Sequence, residues 1–142
     1  MESVIIEKID TQAMQEQAWE IRKKVFVEEQ EVDEGLEWDH EEESVHFLAT
    51  LNGKAVGTAR WRETGKGIKL ERFAVLPEYR NQKVGEALLK AVLEDVPGNH
   101  RVYLHAQLAA ENFYHRSGFE PVGDVFYEAG IGHHLMVWKP IS

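Results

Sequence analysis

The sequence predicts an α+β fold in which helices cover both faces of a mixed, mostly antiparallel sheet. Three observations support this prediction. The predicted elements follow the order β-α-β-β-β-α-β-α-β-β, tight turns join three strands in succession, and one helix connects two strands as a crossover. All 142 residues are assigned to one domain, 1–142, because the sequence shows no repeat, linker or second composition.

The first half of the chain is predicted to form a strand, a helix and three antiparallel strands. Thr11 or Asp10 is suited to cap the helix, which continues to about Val27. The dipeptide Asn52-Gly53 predicts a tight turn between two strands. The predicted strands are residues 4–9, 45–51, 54–63 and 68–75, and residues 31–43 are predicted to form a loop.

The second half begins with a helix over residues 84–95, where apolar residues recur at helical spacing before Pro97-Gly98 ends it. This helix connects strand 68–75 to strand 101–106, so these two strands should be parallel. Gly118 lies where a left-handed C-terminal cap is expected. The remaining elements are a short helix over residues 109–117 and strands 119–126 and 133–139, which a turn over residues 130–132 joins.

Composition limits the classes of function. The formal net charge is −9, which disfavours nucleic acid and anionic membranes as partners. The chain has no cysteine, so disulfides, thiolate zinc sites and a cysteine nucleophile are excluded. No apolar run approaches the roughly 20 residues that span a bilayer, and the N-terminus lacks a signal-peptide pattern, so we expect a cytoplasmic location.

Seven histidines raise the question of a metal site. His133 and His134 are adjacent in a predicted strand, so their side chains should point to opposite faces. No His-x-x-x-His pair accompanies them. We therefore expect no metal.

The segment from Val75 to Gly85 joins a predicted strand to a predicted helix through a polar, basic turn. A helix N-terminus presents unpaired backbone N–H groups and a positive dipole end, which together favour anions. Arg80 and Lys83 add positive charge in an otherwise acidic chain, and Gly85 allows close approach of the backbone. The turn is therefore suited to a pyrophosphate, although a solvated turn would have the same composition.

Two motifs give the chain a family resemblance. FAVLPEYRNQKVGEALLKAVLE, residues 73–94, resembles the (Gln/Arg)-x-x-Gly-x-(Gly/Ala) motif of the GCN5-related N-acetyltransferases (GNAT), with Lys83 in place of the first glycine. AAENFYHRSGFEPVG, residues 109–123, resembles the next motif of that family. IRKKVFVEEQEV, Asp39-His40, LHAQLAAENFY and FYEAGIGHHLMVW are similar to its ElaA-like branch, close to small bacillary proteins of the YjcF type.

The resemblance implies acetyl transfer from acetyl-CoA to an amine by direct attack, on a sheet with a central splayed strand pair. The backbone of residues 73–75 would pair with the pantetheine arm, and an N–H at Ala74 or Val75 would polarise the thioester carbonyl. We expect the side chains of Phe73 and Val75 to lie in the core. The predicted cofactor-binding residues are Phe73, Ala74, Val75, Arg80, Asn81, Gln82, Lys83, Val84, Gly85, Glu86 and Asn112.

Tyr114 matches the family tyrosine that protonates the leaving thiolate. The base that deprotonates the amine is less well defined. His105 and Glu71 are ranked first and His133 is a third candidate, since histidine titrates near neutrality and a shielded glutamate can have a raised pKa. Each could equally be a structural residue, and the amine could lose its proton to solvent.

The acceptor site is expected between the first helix with its following loop and the final hairpin. The candidates are Arg22, Phe26, Glu29, Gln30, Glu128 and His133. Arg22 has an alternative role as a surface arginine whose stem covers apolar neighbours. The acidic run from Glu28 to Glu43 is either a solvated loop or a surface that attracts a cationic amine, such as a polyamine or a lysine side chain.

The expected partner is thus a small-molecule or peptide amine, and the sequence leaves open whether the protein is a monomer or a homodimer. The alternative to an enzyme is a non-catalytic acyl-CoA-binding sensor or interaction module. Such a protein would keep the basic turn and would not require Tyr114.

Overall fold

The computed structural model describes residues 4–30, 41–80, 83–98 and 100–139. The chain divides into two compact units, Met1–Arg62 with Arg72–Val96 and Glu63–Glu71 with Pro97–Ser142. Assignment of the whole chain to one domain stays a prediction. The predicted loop at residues 31–43, including Asp39-His40, lies mostly outside the described residues.

The described residues form seven strands and three α-helices. The strands are β1 Val4–Lys8, β2 Val45–Leu51, β3 Lys54–Thr64, β4 Gly67–Val75, β5 Val102–Gln107, β6 Phe119–Glu128 and β7 Ile131–Trp138. The helices are α1 Gln12–Arg22, which continues as a π-helical segment Lys23–Glu29, α2 Val84–Asp95 and α3 Glu111–His115. Short 3₁₀ turns lie at Pro77–Tyr79 and Leu108–Ala110. Most strand pairs are antiparallel and β4 pairs with β5 in parallel, so the predicted α+β class with a mixed sheet is confirmed.

In the first unit, β1 pairs with β2 and β2 with β3, both antiparallel. The β2–β3 turn is the predicted Asn52-Gly53, with φ values of 52° and 80° that suit a two-residue hairpin turn. α1 begins at the predicted cap, because the Thr11 hydroxyl accepts a hydrogen bond of 3.2 Å from the Met14 amide. The apolar core of this unit contains Ala18, Ile21, Val25, Leu48, Ala74 and Leu76.

The first helix continues past the predicted end at Val27, and its last part is wider than an α-helix. The Gln30 amide donates to the Val25 carbonyl oxygen at 3.1 Å, which is an i→i+5 bond. Such π-helical turns are rare and are often found at functional sites. This segment carries two of the predicted acceptor residues, Phe26 and Glu29.

α2 packs closely on the sheet of the first unit at Gly57. A Cβ atom at Gly57 would lie 3.0 Å from Val84 Cγ1, 3.1 Å from Leu88 Cδ1 and 3.2 Å from the Ala74 carbonyl oxygen. The absence of a side chain at Gly57 therefore lets the first turns of α2 approach the strands. Val84, Leu88, Leu89 and Val92 form the buried face of the helix, as the apolar spacing predicted.

In the second unit, β5 pairs with β4 in parallel and with β7 antiparallel, and β7 pairs with β6. The parallel pairing joins Ile68–Leu70 to Val102–Leu104, although β4 continues to Val75 and β5 to Gln107. The predicted turn at residues 130–132 is wrong. The chain turns at Ala129 and Gly130, whose φ values are 51° and 77°, and Glu128 pairs with Ile131. A two-residue turn with both φ values positive matches the twist of the strands. The register of this hairpin therefore differs from the one that a turn over residues 130–132 would give.

The strands of the second unit have their own buried apolar residues, and Tyr114 of α3 packs against one of them, Phe119. Ile68, Leu70, Val102, Leu104, Phe119 and Met136 are buried. The predicted helix over residues 109–117 begins as a 3₁₀ turn, and its α-helical part is only five residues long. In the described part of the chain, no helix has both the length and the apolar character needed to cross a membrane.

Candidate active site

The turn between β4 and α2 places a left-handed residue immediately before the helix. Lys83 has φ 64° and ψ 18° and is the N-cap of α2, and its side chain makes no capping hydrogen bond. Few residues other than glycine adopt this conformation, so it explains why the related motif has glycine at this position. The first-turn amides of Val84, Gly85 and Glu86 have no acceptor within the helix, and they lie at the positive end of its dipole.

The predicted phosphate ligand Arg80 contacts a predicted acceptor residue. Its two terminal nitrogens donate to the two carboxylate oxygens of Glu29 at 2.9 and 2.8 Å. Its Nε donates to the carbonyl oxygen of Val75, the last residue of β4, at 3.0 Å. The hydrogen bond from Arg80 lowers the pKa of Glu29, against the opposing effect of burial.

Residues 73–75, which were predicted to pair with the pantetheine arm, form the end of β4. Ala74 is buried in the core, whereas Phe73 and Val75 are half-buried. The expectation that the side chains of Phe73 and Val75 lie in the core is therefore wrong, because strand alternation turns Ala74 inward and its neighbours to the opposite face. Arg72, just before them, has φ 59°, an uncommon value for a residue within a strand.

The predicted acceptor residue Arg22 lies inside the first unit. Its side chain is 1% exposed and lies 2.6 Å from Glu41 Oε1, which Arg60 also contacts at 2.7 Å. Trp19 Nε1 donates to the other oxygen of Glu41 at 2.8 Å. The alternative of a surface arginine is therefore wrong. Phe26 packs beside the core of this unit, and Gln30 is half-buried at the end of the helical segment.

In the second unit, a predicted base and a predicted acceptor residue form a pair. His105 Nδ1 lies 2.6 Å from Glu128 Oε1. This hydrogen bond is the main cause that lowers the pKa of Glu128, with burial opposing it. A carboxylate that is ionised at neutral pH only accepts hydrogen bonds, so the proton of the neutral imidazole lies on Nδ1. Nε2 is then the basic nitrogen of His105.

Phe126 connects this pair to the predicted residue His133. The Phe126 ring meets His105 edge-on at 4.9 Å and stacks on His133 at 5.8 Å. His133 is buried, and its Nδ1 lies 2.6 Å from the carbonyl oxygen of Ile131, to which it donates. The Phe126–His133 pairing of the β6–β7 hairpin brings these rings together.

A second ion pair in this unit involves the other predicted base. Glu71 is buried and lies 3.3 Å from Lys69 Nζ. The charge of Lys69 also contributes to the lowered pKa of Glu128. We refer to Lys69, Glu71, His105, Glu128 and His133 together as the polar cluster. In the residues described, no group of three histidine, cysteine or acidic side chains could hold a metal ion.

Tyr114, the predicted acid, is buried in α3. Its ring makes edge contacts with Phe113 at 5.0 Å and Phe119 at 5.9 Å. Burial raises the pKa of Tyr114, so the phenol is protonated at neutral pH. Asn112, the predicted cofactor contact on the same helix, is exposed.

Sequence reasoning missed Lys69 and Phe126. Lys69 is two residues before Glu71 in β4, a spacing that places both side chains on one face. Phe126 would have been found with the correct hairpin register, in which it is paired with His133. The predicted cofactor residues Asn81 and Gln82 lie outside the described residues.

Comparison with known proteins identifies the class. Residues 8–140 match the family model of the acetyltransferase (GNAT) domain, so the chain belongs to the GNAT acetyltransferase family. It is 36% identical to the uncharacterized N-acetyltransferase YjcF of Bacillus subtilis, over 84% of this chain and 89% of the relative. The resemblance to the YjcF-type and ElaA-like members is confirmed.

Two solved structures support the same fold. The crystal structure of Escherichia coli ElaA is 26% identical, with a TM-score of 0.82, and the match covers 98% of this chain and all of the other. An aminoglycoside 6'-N-acetyltransferase complexed with coenzyme A is 18% identical, with a TM-score of 0.74, and the match covers 94% and 95% of the two chains.

Proposed function

We propose that this protein transfers an acetyl group from acetyl-CoA to an amine by direct attack. Membership of the GNAT family supports acyl transfer in general. The observation that carries the specific proposal is the left-handed Lys83 cap, which leaves the first-turn amides of α2 without a side-chain partner from the cap. This is the backbone arrangement that a diphosphate requires.

The donors at this turn fit the diphosphate of coenzyme A. The amides of Val84, Gly85 and Glu86 would bind its oxygens, with Asn81 and Gln82 as further predicted ligands. Lys83 and Arg80 would add charge-assisted contacts. Lys83 adopts the left-handed conformation that glycine adopts most readily. Main-chain groups of residues 73–75 and the side chain of Asn112 complete the proposed cofactor contacts.

Acetyl-CoA supplies a thioester whose carbonyl carbon the amine attacks. We propose that His105 accepts the proton of the amine at Nε2 and that Glu128 fixes the imidazole with its proton on Nδ1. The 2.6 Å contact between them supports this assignment over Glu71, which is engaged by Lys69 at 3.3 Å. A base oriented by a third group is a recurrent arrangement in catalysis.

Tyr114 is proposed to stabilise the leaving thiolate as the general acid, by a hydrogen bond from its hydroxyl along which the proton can move. Its raised pKa keeps it in the protonated form that a donor needs. The same burial makes it a weaker acid than a phenol in water, so the proton would move only toward a thiolate of comparable basicity. Its contribution is therefore expected to be a hydrogen bond that strengthens as the thiolate forms.

The proposed acceptor is a small-molecule or peptide amine. Phe26, Glu29, Gln30, Glu128 and His133 remain proposed contacts, and Arg22 would act only through the internal ion pair that it makes with Glu41.

The decisive experiment combines calorimetric titration of the purified protein with coenzyme A and an amine screen read by thiol release from acetyl-CoA. We expect binding of coenzyme A and turnover with at least one amine. Absence of both heat and a thermal shift at millimolar coenzyme A would refute the proposal. The variant Tyr114→Phe tests the sensor alternative. An enzyme should lose roughly 10²-fold or more in kcat while it keeps its affinity for coenzyme A, whereas binding without turnover by the wild type indicates a sensor.

A further inference from the structure

We propose that the diphosphate of coenzyme A displaces Glu29 from Arg80 when it binds. The proposal deepens the proposed function and rests on it, because that function supplies the diphosphate. It concerns residues of the first unit alone.

In the contact between Arg80 and Glu29, the Glu29 carboxylate occupies the position that another anion could take. Both terminal nitrogens of Arg80 donate to Glu29, at 2.9 and 2.8 Å, with one carboxylate oxygen for each nitrogen. The planar guanidinium presents the same pair of donors to a carboxylate and to a phosphate. One group therefore occupies the edge of Arg80 that the other would need.

Arg80 is close enough in the chain to reach the proposed diphosphate. It precedes Lys83, the cap of α2, by three residues, which span at most about 10 Å. Its Nε hydrogen bond to the Val75 carbonyl oxygen, 3.0 Å long, uses neither terminal nitrogen. The guanidinium can thus exchange Glu29 for a phosphate while its Nε contact to the end of β4 is kept.

The ion pair is of a kind that a diphosphate can displace. The side chains of Arg80 and Glu29 are 39% and 40% exposed, so solvent screens their attraction. A diphosphate carries more charge than a carboxylate and would be held at the same time by the amides at the start of α2. Glu29 is ionised at neutral pH, because its hydrogen bond with Arg80 lowers its pKa.

A permanent clamp makes the opposite prediction. If Arg80 served only to tie Glu29 to the end of β4, removing the Glu29 carboxylate would loosen the turn and weaken cofactor binding. In the exchange that we propose, the same change removes a competitor and strengthens binding. The sign of the effect therefore separates the two roles.

The test is calorimetric titration with coenzyme A of the wild type, Glu29→Gln, Arg80→Gln and the double variant. We expect Glu29→Gln to bind about threefold more tightly, which is the scale of an exposed ion pair. Arg80→Gln should bind about tenfold more weakly, as expected for loss of a charge-assisted contact. In the Arg80→Gln background, Glu29→Gln should have no further effect, since no competition remains.

Glu28→Gln is the matched control, because Glu28 is exposed and its substitution removes the same charge one residue away. It should bind like the wild type. Equal tightening in both glutamine variants would indicate a general effect of charge and would overturn the proposal, as would unchanged or weaker binding by Glu29→Gln. Arg80→Lys, which keeps the charge, should lie between the wild type and Arg80→Gln. Failure of the wild type itself to bind would refute the proposed function as well.

Discussion

Gly57 offers a direct test of how closely α2 must approach the sheet in the first unit. In Gly57→Ala, the new methyl group would lie 3.0 Å from Val84 Cγ1, 3.1 Å from Leu88 Cδ1 and 3.2 Å from the Ala74 carbonyl oxygen. Leucine can rotate away, but the carbonyl belongs to a paired strand and Val84 is stiff at χ1. The helix must therefore move outward by a few tenths of an ångström.

Overpacking of this kind costs about 1–3 kcal/mol. Replacing glycine within a strand also returns about 0.5–1 kcal/mol, because the unfolded chain loses freedom. The net loss in the free energy of unfolding should be about 1–2 kcal/mol, which lowers the melting temperature by about 3–6 °C for a chain of this length. Affinity for coenzyme A should fall severalfold, because Val84 begins the helix whose amides are proposed to bind it.

Urea unfolding and calorimetry with coenzyme A provide the two measurements. Gly65→Ala is the control, since a Cβ atom there would meet nothing within 4 Å and the residue does not need a positive φ. Gly65→Ala should leave the free energy of unfolding unchanged or raise it slightly, whereas Gly57→Ala should lower it. If Gly57→Ala were as stable as Gly65→Ala, the close packing of α2 would not be a constraint, and our account of this glycine would be wrong.

Three further predictions concern the turn, the polar cluster and a buried histidine. Lys83→Gly should be more stable than Lys83→Ala by about 1 kcal/mol in urea unfolding, because alanine keeps the left-handed strain; equal stability would contradict the observed backbone. Glu128→Gln should lower kcat about tenfold without changing the affinity for coenzyme A, whereas Glu120→Gln in the same strand should change neither; equal effects would contradict a positioning role. Burial lowers the pKa of His46 below its ordinary 6.5, so the unfolded chain binds more protons and the free energy of unfolding should fall as the pH drops below about 6.5. His46→Gln should lose this dependence in unfolding measured at pH 7.5 and 5.5, and an unchanged dependence would contradict it.

Much of the fold could be predicted because its signals are local. The Asn52-Gly53 turn, the Thr11 cap and the apolar spacing of α2 each depend on a few neighbouring residues, and each was correct. The turn at Ala129-Gly130 was misplaced because Gly130 and Gly132 both resemble turn residues. Only the pairing of the flanking strands distinguishes the two positions. A one-residue error at such a turn hides which side chains share a face.

The site was harder to predict because its contacts join distant parts of the chain. Arg80 and Glu29 are 51 residues apart, and His105 and Glu128 are 23 residues apart. No periodicity in the sequence reports such contacts. Arg22 was also misjudged from the sequence. Its charge indicated an exposed side chain, but the side chain is buried against Glu41.

The Arg80–Glu29 and His105–Glu128 contacts alter the charge that an acceptor amine would meet. Of the two alternatives for the acidic run, a solvated loop or an attractive surface, the second would attract a cationic amine by its charge alone. Glu29 and Glu128, however, are already partnered by Arg80 and His105, and both have lowered pKa values because of those hydrogen bonds. Neither carboxylate therefore presents a bare charge in this structure. A cationic amine would meet an uncompensated carboxylate at Glu29 only after Arg80 had turned to the diphosphate. If that exchange occurs, the protein should prefer a cationic acceptor only in its complex with coenzyme A. A higher ionic strength should then weaken acceptor binding more than it weakens the ion pair between Arg80 and Glu29.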